Sequence, residues 1–318
     1  MPFKHNARFR HKFPKAKYVV KNWSAYNEYL RLRGDISIWF DPAMLPGWRA
    51  GGPRKRGGKL IYSDLAIELC LTCRVVFGLP LRQTQGFVRS LFKLMYLGLP
   101  VPDFSTLSRR GRVLNITDEP QLANGPITLI VDSTGLQVHS GRAWMQQKHG
   151  LKKLRKTWRK LHIGFDPASG EIVTSSLTTE HVGDETALPD LCATQHPVNR
   201  FLGDGAYDGA PSEAVIREAF GPEVEIVIPP PSDAIHGDSP MRNAHIEHIE
   251  KHGLMAWQRD TGYTERSGVE AQIGRYKSVI GSKLQSRNLE TQQTETTIGV
   301  KSLNRMTRIG RAVNERVS

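Results

Sequence analysis

Apolar positions change their period part-way along the chain. Residues 64–77 carry Leu65, Ile67, Leu69, Leu71, Val75, Val76 and Phe77 and end at Gly78; residues 81–97, after Pro80, repeat the type with Phe87, Val88, Leu91, Phe92, Leu94 and Met95. Runs of this length punctuated by Gly and Pro predict helices. Residues 22–33 hold a shorter helical pattern that stops at Gly34, residues 35–40 are compatible with a strand, and residues 103–112 form a short capped helix with a basic flank. From residue 126 the runs shorten to strand length. Residues 126–132, 160–165 and 170–177 predict a β-meander, with a turn over 166–170. Residues 184–192 then read as a helix, 200–202 as a short buried strand, 212–220 as a helix and 224–228 as a fifth strand ahead of three prolines. A longer helix is expected around Glu270 and a basic one over 292–311.

Two stretches follow neither period. Residues 1–21 include Lys4, Arg8, Arg10, Lys12, Lys15, Lys17 and Lys21 without a usable hydrophobic pattern and read as a disordered basic arm with salt-sensitive phosphate contacts. Residues 46–59 combine Arg54, Lys55, Arg56 and Lys59 with five glycines and read as a flexible loop able to track a phosphate backbone.

Composition then narrows the class. The hydrophobic share of 39% over 318 residues suffices for a large packed domain and a smaller one. No run of eighteen apolar residues occurs and the first residues lack an apolar signal core, so a cytoplasmic protein without a membrane segment is expected. Three cysteines argue against a disulfide framework; Cys70 and Cys73 form a C-x2-C with no second pair, which favours core packing over zinc. The net charge is +13, and residues 1–125 carry 21 Lys and Arg against 8 Asp and Glu, whereas the rest of the chain carries 23 of each. Such segregation points to an N-terminal part that meets a polyanion, with nucleic acid a better partner than a membrane surface because no clean amphipathic basic helix or acylation motif is present.

The candidate chemistry lies in the second half. Tyr263, Arg266, Glu270 and Lys277 stand at offsets 0, 3, 7 and 14, which on a helix fall within about 60° of one another. A carboxylate, two cations and a phenol would then face one target; a solvated face with complementary charges is the plainer alternative. Upstream, Asp132 and Asp204 each end a strand-like apolar run.

Asp132, Asp204 and Glu270, with the Tyr-x2-Arg-x3-Glu-x6-Lys pattern around the last, resemble the acidic triad of the DDE transposases and, more narrowly, of the bacterial insertion sequence five family. The resemblance extends from about residue 22 to about 310, and its third motif is the specific one. It implies an α/β fold: an RNase H-like catalytic domain with a mixed five-stranded sheet and flanking helices, preceded by a mostly helical basic DNA-binding region. The implied division is a basic arm and loop at 1–60, a helix-turn-helix-like region at 61–122, the catalytic domain at 123–290 and a C-terminal basic helix at 291–318. In this topology strands one and four are neighbours, which would join Asp132 to Asp204 across 72 residues.

The implied activity is metal-dependent cleavage at the element ends and joining of the 3′-hydroxyls to target DNA, by at least a dimer on double-stranded DNA. Two Mg²⁺ or Mn²⁺ ions suit three carboxylates, Asp132 bridging both and Asp204 and Glu270 holding one each. Lys277 would reach a phosphate, and Arg266 with Tyr263 would orient Glu270 or touch DNA; both cations could equally be surface charges. Arg109 and Arg110 are the DNA candidates of the helical region, for which a plain supporting bundle is the alternative. Asp208 could substitute as a ligand, although its glycine neighbours suggest a turn. His162 reads as a packed group and His181 as a helix cap, and His245, His248 and His252 lack zinc spacing. Trp144 and Trp158 could stack on an unpaired base or pack in a core.

Overall fold

The computed structural model describes residues 17–51, 60–117, 119–138 and 157–317. Most of the expected basic arm, the cluster Arg54–Lys59 and the stretch holding Trp144 lie outside the described residues.

After a short strand β1 (Lys17–Val20) the first part of the chain is helical: α1 (Trp23–Leu32), α2 (Ile36–Trp39), a 3-10 turn at Pro42–Gly47, α3 (Asp64–Val76), α4 (Leu81–Leu94) and α5 (Phe104–Arg110). Side-chain caps start several of these. Ser63 Oγ accepts from Ala66 N at 3.1 Å and Asp103 Oδ1 from Ser105 N at 2.9 Å. The strand expected over 35–40 is instead α2, because Asp35 Oδ1 accepts from the Ser37 amide at 2.9 Å and caps a helical turn. The helices close over a core that contains Trp48, Ile67, Cys70, Cys73, Val88, Phe92 and Leu107. Cys70 and Cys73 are fully buried there, and burial pushes the Cys73 thiol up to about 12, so this pair packs as small hydrophobes.

The second part is a mixed α/β unit. Strands β2 (Ile127–Val138), β3 (Trp158–Phe165) and β4 (Ile172–Thr179) form the antiparallel meander; α6 (Asp184–Cys192), β5 (Val198–Leu202), α7 (Ala210–Phe220) and β6 (Glu225–Val227) follow. Next come α8 (Pro240–His252), α9 (Leu254–Asp260), α10 (Ser267–Val279), β7 (Lys283–Leu284), α11 (Leu289–Ile309) and β8 (Asn314–Val317), which pairs with β1. The sheet order is β4-β3-β2-β5-β6, with β5 parallel to β2 and to β6. It has six strands rather than the expected five, since β7 pairs with the far end of β2.

Strand alternation divides the core. One face of the sheet contributes Ile130, Leu136, Leu161 and Ile163 to a cluster with Trp257, Val269, Tyr276, Val300 and Leu303. The other contributes Leu129, Val131 and Phe201 to a cluster with Leu188, Leu191 and Ile216 from α6 and α7. Each such side chain contributes about 1.5–3 kcal/mol by leaving water. Helix α11 joins both parts: Ile298 belongs to the helical core, while Val300, Leu303 and Met306 belong to the sheet core. Its Glu295 is buried, accepts from the Gln285 and Ser286 amides at 2.8 Å each, and lies 3.5 Å from Arg74 of α3.

Candidate active site

The long strand β2 has different neighbours along one edge. It pairs with β5 up to Ile130, opposite Leu202, and with β7 from Gln137 onward. Between them is an opening at the carboxyl end of β5, the kind of crevice in which open α/β sheets bind ligands. Asp132 lies two residues beyond Ile130, and Asp204 two residues beyond Leu202, so the parallel register brings both aspartates to one level of the opening.

The third carboxylate arrives from across the crevice. Tyr263–Arg266 is a 3-10 turn rather than the start of the expected long helix, and α10 begins at Ser267. Gly262 sets the entry with φ of +63°, in the left-handed region, and a Cβ there would meet Arg200 Nη2 at 2.8 Å. Residues three apart in a 3-10 turn eclipse one another, which keeps Tyr263 and Arg266 on one side despite the altered helix type. The Tyr263 ring packs on Trp257 with centroids 5.1 Å apart, and burial pushes its phenol up to about 12.

Arg266 is the hub. Its Nη1 lies 2.9 Å from Glu270 Oε1, and its Nη2 lies 3.1 Å from Asp132 Oδ2 and 3.6 Å from Asp204 Oδ2. The guanidinium is mostly buried, with 16% of its side chain exposed, whereas Asp132, Asp204 and Glu270 rise from 14% to 37% and 61%. Backbone amides fix the two aspartates: Ser133 N donates to Asp132 Oδ1 at 2.8 Å and Ala206 N to Asp204 Oδ1 at 3.0 Å. Burial raises the Asp132 carboxyl above the usual range, Arg266 pulls it back, and the charges of Asp204 and Glu270 raise it further. Among the described residues, three carboxylates thus share one cation, and the crevice is short of positive charge.

The donor set is hard oxygen and suits Mg²⁺ or Mn²⁺. Among the described residues, however, no group of three or more His, Cys, Asp or Glu side chains closes on a common point, because the guanidinium stands between the three acids.

The remaining candidates separate. Lys277 lies two turns beyond Glu270 on α10, half-buried. Arg109 faces solvent, but Arg110 bonds to Asp64 and to the Tyr62 carbonyl oxygen and stays 16% exposed. Asp208 is held by Arg242 Nε and Nη2, each at 2.9 Å, an arrangement that fixes a turn. His162 is fully buried, with Nε2 2.9 Å from Thr178 Oγ1. His181 is 80% exposed and Gly183 occupies the N-cap of α6, so His181 does not cap that helix. His245 receives Trp257 Nε1 at 3.0 Å, and His248 lies 3.3 Å from Asp260. Trp158 is 40% exposed beside Gly135.

One cluster was not foreseen. Asp184, at the start of α6, lies 2.7 Å from Lys160 Nζ and 3.3 Å from His162 Nδ1. Burial would raise its carboxyl, but hydrogen bonds from His162, Lys160 and Ser133 hold it well below the carboxylate range. It therefore sits behind β2, against the residue that follows Asp132. The acidic pair Asp184-Glu185 at a helix start was the available signal, although nothing local distinguishes it from ordinary charge placement at an N-terminus.

A family model described as Transposase DDE domain matches residues 123–305, more than half of the chain. This chain belongs to the DDE transposase family. A second model with the same description matches residues 31–141, so the likeness includes the helical part and β2. As a member of this family the protein is a transposase, a metal-dependent enzyme of DNA cleavage and strand transfer. A solved structure, "Crystal structure of the Mos1 mariner paired end complex with Mn", aligns over 97% of this chain and 93% of that one at 12% identity with a TM-score of 0.20, too low a score to carry an argument.

Proposed function

We propose that this DDE transposase cuts the ends of an insertion sequence of the family-five type at the Asp132, Asp204 and Glu270 crevice and joins the freed 3′-hydroxyls to target DNA. The observation that carries the assignment is the single guanidinium of Arg266 within 3.6 Å of all three carboxylates, which lie far apart in the chain. The strand order, with an antiparallel meander and then two parallel strands on the other side of the first, supports an RNase H-like catalytic fold. Two divalent ions, when held by Asp132, Asp204 and Glu270, supply charge stabilisation at the attacking and leaving oxygens of the phosphodiester.

The protein's own groups do the rest. Asp132 stands deepest while Asp204 and Glu270 stand more open, and these three carboxylates would hold the ions. Arg266 offsets the mutual repulsion of the acids when no ion is bound, and it stays beside Glu270 to orient it. Lys277, two turns along the same helix, reaches a phosphate of the bound end. Tyr263 steadies the turn that carries Arg266. The basic N-terminal part holds the element ends, with Arg109 presented to solvent, and two ends require at least a dimer.

The test uses the full-length protein with element-end duplexes and a plasmid target. Mn²⁺ should replace Mg²⁺, and Ca²⁺ should support binding without cutting, given the looser geometry that Ca²⁺ adopts. Asp132→Ala should abolish both cutting and joining while leaving end binding intact. Pre-cut ends that never join the plasmid would leave a nuclease without strand transfer, and substantial cutting by Asp132→Ala in Mg²⁺ would sink the site.

A further inference from the structure

A second charged feature lies away from the carboxylates. Helices α3 and α5, the start of α4, the segment 285–288 and the first turns of α11 enclose a groove of about 720 Å³. Arg82, Arg109, Arg112 and Arg287 line it and are exposed. Arg82 is held with its guanidinium 4.5 Å from the centre of the Phe104 ring, which sets its position without neutralising it. Glu295 is the acid among the described lining residues, and it is already committed to two backbone amides and Arg74. None of the four exposed arginines has a carboxylate at ion-pair distance among the described residues. The groove is therefore lined by cations whose counter-charge is missing.

We propose that this groove binds the sugar-phosphate backbone of a DNA strand, as a site separate from the carboxylate crevice. Four guanidinium forks along one cleft match successive phosphate oxygens, each able to accept two parallel hydrogen bonds. The polar lining between them, Ser108 and Asn288, adds neutral groups of the kind that hold a backbone in register without reading bases. Position agrees with this ligand. The segment 285–288 follows β7, which pairs with β2 at Gln137 and Val138. Gln137 is five residues from Asp132, or about 17 Å at strand spacing, which is the rise of about five base pairs. The groove thus follows the β7 end of the strand that carries Asp132, and a duplex that reaches both is part of the proposal. An acidic protein segment would satisfy the charge but not the connection to the cutting site. The inference rests on the chain acting on DNA, and it is independent of which carboxylates cut.

The test measures binding of the full-length protein to a labelled element-end duplex across a salt titration in Ca²⁺. Arg112→Ala combined with Arg287→Ala should weaken binding roughly tenfold to a hundredfold and lower the slope of log affinity against log salt by about two. Both residues are exposed, so thermal unfolding should not move, and Arg82 stays to preserve the Phe104 contact. Lys251→Ala with Arg259→Ala removes the same charge from α8 and α9 and should leave affinity and slope unchanged. If the groove pair binds like the parent protein, or if the α8–α9 pair loses as much, the groove is not a DNA site. Groove-independent binding together with a dead Asp132→Ala would overturn the groove alone; cutting by Asp132→Ala with groove-dependent binding would overturn the carboxylate assignment alone.

Discussion

The crevice beside β2 and the groove beside α11 treat charge in opposite ways. In the crevice, three carboxylates converge on one guanidinium, so negative charge exceeds positive among the described residues. In the groove, four exposed arginines have one acidic residue among the described lining, and that residue is buried in a bridge to Arg74. Elsewhere in the fold, as at Asp208 with Arg242 or Asp64 with Arg110, opposite charges are matched within the chain. Unmatched like charges held close together repel one another, and a site that keeps such an imbalance is one suited to a ligand of opposite charge. The crevice calls for cations and the groove for phosphates, and a phosphodiester-cutting enzyme has use for both.

The largest effect should come from breaking this division on the acidic side. Glu270→Gln removes an ion-holding charge at an exposed position, so folding should be untouched while cutting falls by at least about a thousandfold, or 4 kcal/mol in the barrier. Affinity for the uncut duplex in Ca²⁺ should not change. A Glu270→Gln protein that cuts at near-normal rate would make the crevice an ordinary charge cluster.

Much of this architecture could be read from residues, for identifiable reasons. Asp132 and Asp204 stand at the ends of apolar strand runs, and the resemblance to the DDE transposases implied that those two strands are neighbours, which is how they pair. Helix 184–192 was also visible in full. Strand β7 was not, because two residues carry no period. The turn at α2 was misread since Ile36 and Ile38 suit a strand, and the Asp35-x-Ser37 cap outweighs them. Arg266 was placed on the right side of its segment, yet its contact with all three acids depends on a 3-10 turn and on Gly262 in left-handed backbone. The groove was invisible, since Arg82, Arg112 and Arg287 meet only after α11 packs against the helical core.

Asp184 sharpens the comparison because its charge is matched where that of Asp132 is not. Its carboxyl is held low, so its contribution to stability is present above the unfolded value of 3.8 and is lost as pH falls through the lower folded value. Asp184→Asn at neutral pH leaves Lys160 and His162 without that anion, at a cost of roughly 2–3 kcal/mol. Thermal unfolding should show a deficit at neutral pH that shrinks in acid. A deficit independent of pH would mean lost packing rather than a lost charge.

A smaller effect is expected at Lys277. If Lys277 holds a phosphate as proposed, Lys277→Ala removes a contact worth roughly 1–3 kcal/mol, and strand transfer should slow accordingly while ion binding stays normal. Arg in its place should rescue in part, since a planar fork differs from a point charge. Ser278→Lys combined with Lys277→Ala turns the charge by about 100° toward solvent and should not rescue. Equal activity of the shifted lysine would reduce Lys277 to a surface cation.

The smallest and most direct test sets Asp132 against Asp184. Burial raises the Asp132 carboxyl, so its folded value lies above its unfolded one. The sign is then the reverse of that for Asp184: the favourable contribution exists below the unfolded value and disappears as pH rises through the folded value. At neutral pH an ionised Asp132 is a liability, only partly offset by Arg266, which keeps Asp204 and Glu270 as partners in any case. Asp132→Asn, measured without metal, should therefore stabilise the neutral protein, a gain that vanishes in acid where the parent carboxyl is itself neutral. Adding Mn²⁺ should reverse the order, because an ion bound to the native state stabilises the parent and has lost its deepest ligand in the variant. If Asp132→Asn is the less stable protein at neutral pH without metal, the crevice is already balanced by Arg266 and has no charge left over to hold a cation.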